Sequence, residues 1–182
     1  GRTLGRVGLG EVRVFLAPIL SAMGARVLDC SRSSKPDQPY RQVSKAELLA
    51  DSDVISLHLP ETAETRGWLD TAAISQMKTG AVLINTARGA IVDEDALVEV
   101  LSSGHLAGAG LDVFEQIPIH ELESSATSHP LLDMENVVCT PHVAAYSADA
   151  MCQVGEGGVD VGAGGRHEWW GGGVGGVEWV CG

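Results

Sequence analysis

The stretch Arg6-Val7-Gly8-Leu9-Gly10 joins an apolar run to a helical pattern near the start of the chain. Apolar residues then recur at helical spacing over 12–23 and stop at Gly24, with Pro18 inside the predicted helix. A glycine turn between a strand and a helix lets backbone N–H groups and the helix N-terminus meet a pyrophosphate. The complete fingerprint is G-x-G-x-x-G, and Arg13 occupies its third glycine position. The turn alone is therefore also compatible with an α/β protein that merely turns tightly here.

Strand and helix patterns alternate along the chain as far as about Tyr146. Short β-rich apolar runs followed by helical patterns are typical of a parallel sheet covered by helices. After a first strand that ends near Val7, the predicted strands are 26–30, 54–59, 81–87, 107–114 and 136–140. Helices are predicted to begin after Ser44, Asp70 and Asp93, and 31–42 is predicted to be a loop. We therefore predict an α/β fold with about six strands.

The composition favours a protein that acts on small molecules. The chain has 182 residues, 45% of them apolar, which is enough for one domain with a buried core. Its 24 acidic and 12 basic side chains give a net charge of −12, which disfavours nucleic acid and anionic membranes as partners because both are polyanions. No basic leader and no run of about 18 apolar residues occurs, so we expect no membrane span and a cytoplasmic location. The four cysteines have no metal-ligand spacing, and we predict reduced thiols and no metal site.

The end of the chain has a different composition from the rest. Twelve of the 23 glycines lie between Gly155 and Gly182, together with three of the four tryptophans. Such a segment offers neither an apolar helix face nor a strand pattern. We therefore predict one domain over 1–150 and a Gly/Trp-rich tail over 151–182 that is disordered or a non-native reading of the gene.

Three motifs in the second half of the predicted domain resemble one enzyme family. They are Asn85-Thr86-Ala87-Arg88-Gly89-Ala90-Ile91-Val92-Asp93-Glu94, Gly108-Ala109-Gly110-Leu111-Asp112-Val113-Phe114-Glu115 and Thr140-Pro141-His142. In this order and at these separations they resemble the NAD(P)-binding domain of the D-isomer-specific 2-hydroxyacid dehydrogenases, with phosphoglycerate dehydrogenases and hydroxypyruvate or glyoxylate reductases as the nearest relatives. The resemblance implies a Rossmann-like, doubly wound parallel sheet with helices on both faces. It also implies hydride transfer between a nicotinamide cofactor and a small 2-hydroxy or 2-keto acid.

Two residues compete for the position that would contact the adenosine ribose. An acidic residue about 20 positions beyond the glycines is the usual ribose ligand, and Asp29 lies 19 beyond Gly10. Aligning the whole second strand with the family pattern instead places Ser31 where NAD-using relatives carry the acidic residue. We follow this alignment. Ser31-Arg32-Ser33 then resembles NADP-using members, in which a hydroxyl and a guanidinium hold the 2′-phosphate. We predict NAD or NADP as the cofactor, with NADP bound at least as tightly; the alternative is that Arg32 is a solvated loop residue.

Reduction of a 2-keto acid needs a cation for the substrate carboxylate and an acid for the new alkoxide. Arg88 follows a buried strand, and its planar fork suits bidentate recognition of a carboxylate, although it could also be a surface arginine. His142 matches the family's proton donor, and an imidazole can act as acid or base near neutral pH. Asp112 resembles the family's carboxylate near the nicotinamide, while its alternative role is a strand-end cap.

The resemblance further implies a set of cofactor contacts spread over the glycine turn, the strand ends and the segment after the histidine. They are Gly8, Gly10, Glu11, Val12, Ser31, Arg32, Leu59, Thr65, Thr86, Ala87, Arg88, Asp112, His142 and Ala145.

Some parts of the family pattern are missing from this chain. The family pairs its histidine with a glutamate just before a proline, and here Ile117 precedes Pro118. Losing a carboxylate that orients an imidazole costs orders of magnitude in rate, so Ile117→Glu is predicted to raise turnover. Glu115 lies two residues away, but we do not assign it this role. Both sequence segments that form the family's substrate domain are also absent or unrecognisable, which predicts a fragment with little activity of its own.

Two other interpretations remain open at this point. The segment 142–147 also resembles the C-terminal-binding corepressors, which use the same fold as a non-catalytic NAD(H)-binding scaffold. Arg13, Ile117 and the tail are equally compatible with a decayed gene whose product is a pseudoenzyme. Pairing of two chains into a homodimer is implied only by the resemblance.

Overall fold

The computed structural model describes residues 1–8, 12–31, 39–116 and 129–144, and side chains for all of these except 12–15. Seven strands of these residues form one parallel sheet in the order β3-β2-β1-β4-β5-β6-β7. The strands are β1 (Thr3–Val7), β2 (Arg26–Cys30), β3 (Arg41–Gln42), β4 (Val54–Leu57), β5 (Val82–Asn85), β6 (Gly108–Leu111) and β7 (Val137–Cys139). The helices are α1 (Val12–Ala22), α2 (Lys45–Asp51), α3 (Thr71–Ser75), α4 (Glu94–Ser102) and α5 (Pro130–Asp133).

The strand order reverses beside β1. From β1 the chain adds β2 and β3 on one side, and β4 to β7 follow on the other side. Right-handed crossovers place α1 on one face of the sheet and α2 on the other, because these connections run in opposite directions. This is the predicted doubly wound fold. In such sheets ligands bind outside the carboxyl ends of the strands, near the point where the order reverses.

The core lies between the sheet and the helices α2, α3 and α4. Apolar side chains from the central strands are fully buried against leucines and isoleucines of these helices. The strand members are Leu28, Ile55, Leu57 and Leu83, and the helix members are Leu48, Leu49, Ile74 and Leu97. Burying a side chain of this size contributes about 1.5–3 kcal/mol. The carboxyl edge of the sheet is therefore a rigid base for the loops that leave it.

All three predicted helix starts are confirmed. The side chain of Ser44 accepts a hydrogen bond from the backbone N–H of Glu47, which caps α2. Asp70 caps α3 and Asp93 caps α4 in the same way, at 2.8 and 3.1 Å. Each such cap stabilises a helix by about 1 kcal/mol. Helix α1 continues through Pro18, whose ring is exposed.

The predicted strand count was wrong by one. Strand β3 lies inside the segment predicted to be a loop, and its two exposed residues pair with Leu28 and Asp29 at the edge of the sheet. A two-residue strand of exposed polar residues has no apolar alternation, so the sequence contains no signal for it. The predicted strands 54–59, 81–87, 107–114 and 136–140 are also too long. Their last residues leave the sheet and form loops at its carboxyl edge.

The chain divides into two compact units, 1–142 and 143–182. The first unit contains the whole sheet. Of the second unit the structure describes only Val143 and Ala144, so the predicted domain boundary at 150 and the predicted character of the tail stay predictions. In the described part of the chain, no helix is both long and apolar enough to cross a membrane.

Candidate active site

Loops that follow four strands meet at the carboxyl edge of the sheet and border an open cavity of about 260 Å³. The lining residues come from the loops after β4, β5, β6 and β7. They are Glu61, Arg66, Arg88, Gly89, Ala90, Val113, Phe114, Glu115 and His142. The structure thus brings Arg88 and His142 together, as the sequence analysis expects of the two catalytic candidates.

The loop that carries Arg88 is held by a side chain for which the sequence analysis gave no role. Asn85 ends β5 and is 1% exposed. Its Oδ1 accepts a hydrogen bond from the N–H of Ala87 at 3.1 Å, and its Nδ2 donates to the carbonyl of Arg88 at 3.0 Å. The Arg88 side chain is exposed and donates to the Ala87 carbonyl at 2.6 Å. A polar residue at the end of a buried strand was the signal that could have identified Asn85.

Gly89 brings this loop against the segment that follows β6. An ideal Cβ at Gly89 would lie 2.1 Å from the carbonyl carbon of Phe114 and 2.3 Å from the nitrogen of Glu115. Only glycine allows the two backbones to approach so closely. Glu94 fixes the same segment from α4, because its buried carboxylate accepts from the N–H of Glu115 at 2.6 Å and of Gln116 at 3.3 Å. One wall of the cavity is therefore set by backbone contacts.

His142 has an unusual backbone conformation. Its φ is +57°, in the left-handed region, which costs a non-glycine residue about 1–2 kcal/mol. Its N–H donates to the carbonyl of Thr140 at 3.0 Å. Thr140 in turn donates from its N–H to the Leu111 carbonyl at 2.9 Å and from its hydroxyl to the carboxylate of Asp112. The ends of β6 and β7 thus hold the backbone of His142 beside the cavity.

Asp112, a predicted cofactor contact, lies just below the cavity. It is 3% exposed, and its N–H donates to the Asn85 carbonyl at 3.0 Å. It is not among the residues that line the cavity. Its bond to the Thr140 hydroxyl links β6 to the loop that carries His142.

A charged cluster that the sequence analysis missed forms the rim of the cavity. Arg66 makes ion pairs with Glu61, at 2.5 Å, and with Glu115. These two carboxylates, Glu115 above all, raise the pKa of the Arg66 guanidinium. The cluster joins the loop after β4 to the loop after β6, which lie on either side of the Arg88 loop. The carboxylate of Glu115 is thus engaged by Arg66.

The glycine turn after β1, where the predicted nucleotide site begins, is closely packed. Gly8 has a φ of +103°, and a Cβ there would lie 2.4 Å from the carbonyl oxygen of His58. Its N–H donates to the Cys30 carbonyl at 3.1 Å. Only glycine therefore fits this turn, in agreement with the tight turn that the first glycine of a dinucleotide-binding fingerprint makes. Gly10 and Glu11 lie outside the described residues, as does the side chain of Val12.

The carboxylate of Asp29 is buried and paired. It is 1% exposed, and its Oδ1 accepts from Nε and Nη2 of the fully buried Arg6 at 3.2 and 2.9 Å. Ser31 is partly exposed at the end of β2, where its hydroxyl donates to Asp29 at 3.4 Å and accepts from the amide of Gln42 at 3.1 Å. Of the two competing residues, Ser31 is thus the more exposed. Arg32 lies outside the described residues.

The remaining predicted contacts lie near the same edge or outside the described residues. Leu59 and Ala87 pack against the core, and Thr86 is exposed. The hydroxyl of Thr65 donates to the Pro60 carbonyl at 2.6 Å. Ile117 and Ala145 lie outside the described residues, as does the second half, 145–147, of the segment on which the corepressor interpretation rests.

In the described part of the chain, the remaining histidines and cysteines have structural environments. Burial, followed by the charge of Arg6, lowers the pKa of His58, whose Nε2 lies 2.9 Å from the Ser56 hydroxyl. His129 is buried and caps α5, with its Nε2 3.7 Å from a carboxylate oxygen of Glu94. Burial raises the pKa of Cys30. Among the described residues, no cluster of three or more His, Cys, Asp or Glu side chains could hold a metal.

Comparison with known proteins shows which family this chain belongs to. Residues 1–144 match the family model described as "D-isomer specific 2-hydroxyacid dehydrogenase, NAD binding domain". The D-3-phosphoglycerate dehydrogenase of Mycobacterium leprae is 39% identical over 159 residues, which cover 85% of this chain and 29% of that protein. The glyoxylate reductase of Aeropyrum pernix is 42% identical over 155 residues, which cover 82% of this chain and 44% of that protein.

Solved structures show the same similarity. The D-lactate dehydrogenase of Aquifex aeolicus, complexed with NAD and lactic acid, superposes with a TM-score of 0.77 and 37% identity, over 88% of this chain and 52% of that one. The chain spans less than half the length of the two curated relatives named above. Because the family model matches most of the chain, the chain belongs to the D-isomer specific 2-hydroxyacid dehydrogenase family, and residues 1–144 are its NAD-binding domain.

Proposed function

We propose that this chain binds a nicotinamide dinucleotide along the carboxyl edge of its sheet and supplies two catalytic groups for the interconversion of a 2-hydroxy acid and a 2-keto acid. The observation that carries the proposal is the cavity shared by Arg88 and His142. A guanidinium and an imidazole in one cavity at this edge provide a carboxylate ligand and a proton donor, the two groups that the reaction needs.

Arg88 and His142 have different roles in the proposed reaction. Arg88 holds the substrate carboxylate with two parallel N–H donors and polarises the neighbouring carbonyl. His142 donates a proton to the alkoxide in reduction and accepts it in oxidation. A bound nicotinamide cofactor supplies or accepts the hydride. The Ile117 position lacks the carboxylate that relatives use to orient the imidazole, so the hydrogen-bonded backbone from Thr140 to His142 is left to position the ring.

The same geometry supports the proposed choice between the two cofactors. The pairing with Arg6 buries the Asp29 carboxylate, whereas the partly exposed Ser31 follows at the end of β2, where we propose that the ribose binds. A carboxylate at that position repels a 2′-phosphate, whereas a hydroxyl can donate a hydrogen bond to it. We therefore infer that NADPH binds at least as tightly as NADH.

The cavity volume and the net charge of −12 favour a small 2-keto acid, and not nucleic acid or an anionic membrane, as the partner. We propose a cytoplasmic setting, and a dimer on the basis of the family alone. Because this chain spans less than half the length of the curated relatives named above, binding is the property to measure before turnover of glyoxylate, hydroxypyruvate or phosphohydroxypyruvate.

The test is a fluorescence titration of the chain with NADH and with NADPH, followed by addition of oxamate, a 2-keto acid analogue that is not reduced. Saturable binding of both nucleotides is expected, and oxamate should then shift the NMR signals of Arg88 and His142. In a Ser31→Asp variant the affinity for NADPH should fall relative to NADH. Absence of saturable nucleotide binding by the folded chain would refute the proposal, and strong NADH preference in the wild type would refute the cofactor inference.

A further inference from the structure

We propose that Asn85 is a positioning residue for Arg88, because its carboxamide fixes the backbone that presents the guanidinium to the cavity. The inference rests on the proposed function, in which Arg88 holds the substrate carboxylate. It assigns a role to a buried side chain that touches neither the cavity nor the expected position of the substrate.

The carboxamide holds two successive peptide groups of the loop. Oδ1 accepts from the N–H of Ala87 at 3.1 Å, and Nδ2 donates to the carbonyl of Arg88 at 3.0 Å. The backbone carbonyl of Asn85 accepts from the N–H of Asp112 at 3.0 Å, which ties β5 to β6 at the same level. Asn85 is therefore bonded both to the loop ahead of it and to the neighbouring strand.

The Arg88 backbone depends strongly on this side chain. Arg88 is extended, with φ −148° and ψ 142°, and precedes a 3₁₀ turn at Gly89–Ile91 that has no side-chain cap. Its carbonyl also accepts a longer bond, of 3.4 Å, from the N–H of Ile91. Without the Nδ2 donor only weaker contacts would restrain this carbonyl, and the peptide group could rotate. A displacement of about 1 Å in a group that positions substrate can cost about 100-fold in rate, so the carboxamide acts on substrate binding through the arginine.

Two substitutions separate the two bonds. Asn85→Asp keeps the size and the acceptor for Ala87 but replaces the donor with an oxygen that repels the Arg88 carbonyl. Asn85→Ala removes both bonds. Asn136→Asp is the matched control, because Asn136 is exposed and donates only a long 3.5 Å bond to the Leu101 carbonyl.

The first measurement is hydrogen exchange of the Ala87 amide in the folded chain. Loss of a hydrogen bond to this amide should speed its exchange about 10-fold in Asn85→Ala. Asn85→Asp should retain most of the protection, and Asn136→Asp all of it. Urea unfolding of each variant establishes that exchange is compared between folded proteins.

The second measurement is the affinity for oxamate with NADH bound, from the NMR shifts of His142. We expect Asn85→Asp to weaken oxamate binding by about 10-fold, the effect of losing a well-placed hydrogen bond to a charged group. Asn136→Asp should change it by less than about 2-fold. In an Arg88→Ala background the effect of Asn85→Asp should also shrink below about 2-fold, because a residue that acts through Arg88 has nothing left to position.

Each outcome has a defined consequence. Unchanged Ala87 exchange in Asn85→Ala overturns the proposed contact. Faster exchange in that variant, with oxamate affinity in Asn85→Asp equal to the wild type, reduces Asn85 to a structural residue and overturns the positioning role. An undiminished Asn85→Asp effect without Arg88 also overturns it. If oxamate does not bind the wild-type chain at all, the proposed function is wrong. The exchange rate of the Ala87 amide then still shows whether the Asn85 side chain makes the proposed contact.

Discussion

Asp29→Asn should destabilise the protein strongly and leave its cofactor affinity unchanged. Asp29 and Arg6 form an ion pair whose side chains are 2% and 0% exposed. Two guanidinium nitrogens of Arg6 donate to one oxygen of Asp29, at 3.2 and 2.9 Å, and the guanidinium carbon lies 5.6 Å from the centroid of the Tyr40 ring. The substitution removes the negative charge beside the buried Arg6 guanidinium and keeps the size of the side chain.

The expected loss follows from the burial of the pair. Removing one partner of a buried ion pair costs about 3–5 kcal/mol, because the remaining charge has lost both its water and its partner. A domain of this size is stable by about 5–15 kcal/mol. With a urea dependence of about 2 kcal/mol per molar, the unfolding midpoint should fall by about 2 M.

The assay is urea unfolding followed by circular dichroism, combined with NADH and NADPH titrations in the absence of urea. Asp51→Asn is the control, because Asp51 pairs with Arg26 at 3.8 Å while its side chain is 45% exposed. An exposed pair contributes about 0–1 kcal/mol, so this variant should unfold close to the wild type. Both variants should keep nucleotide dissociation constants within about 2-fold of the wild type.

Two results would refute this reasoning. If Asp29→Asn unfolds at the same urea concentration as Asp51→Asn, the buried pair does not stabilise the fold. If Asp29→Asn remains stable but loses affinity for NADH, then Asp29 contacts the ribose, and the position 19 residues beyond Gly10 was the correct one after all.

Three further substitutions test the site and the pH response. Gly8→Ala should remove most NADH binding, because its Cβ would lie 2.4 Å from a carbonyl oxygen. Gly104→Ala is the control, because Gly104 also has a positive φ but has open space around it. This control should lose about 1 kcal/mol of stability and bind NADH as the wild type does. Arg88→Lys should weaken oxamate binding by about 10-fold, since an ammonium cannot match a carboxylate bidentately, while Arg41→Lys should not alter the NMR titration. The pKa of His58 is lowered in the folded state by burial, so the unfolded state takes up the proton more readily and stability should fall as the pH drops below about 6.5. His58→Gln should flatten that part of the urea midpoint profile, and parallel profiles would contradict the assignment.

Features that depend on neighbouring residues were predictable from the sequence. The caps at Ser44, Asp70 and Asp93 each involve a backbone N–H three residues ahead, so the local pattern contains both partners. The buried strands are recognisable as short apolar runs. Their carboxyl ends were placed too late, because the apolar residues that follow them pack against the core without joining the sheet; Leu59 and Phe114 are examples.

Features that depend on strand order were not predictable in this way. Arg6 and Asp29 are 23 residues apart and meet because β1 pairs with β2. Arg66 and Glu115 are 49 residues apart and meet because β4 and β6 lie on either side of β5. Along the sequence, each is an ordinary charged residue near a strand. Arg6 and Asp29 become a buried ion pair, and Arg66 and Glu115 become the rim of a cavity, only once the sheet is assembled.

The ion pairs around the cavity explain why Arg88, rather than Arg66, should bind the substrate carboxylate. Both guanidinium groups line the same cavity. Arg66 already bridges Glu61 and Glu115, so a substrate carboxylate would have to compete with two fixed anions for it. Within the described part of the chain, Arg88 makes no ion pair and its side chain donates to the neutral carbonyl of Ala87. Its charge is therefore the one that an incoming carboxylate can neutralise at the smallest cost.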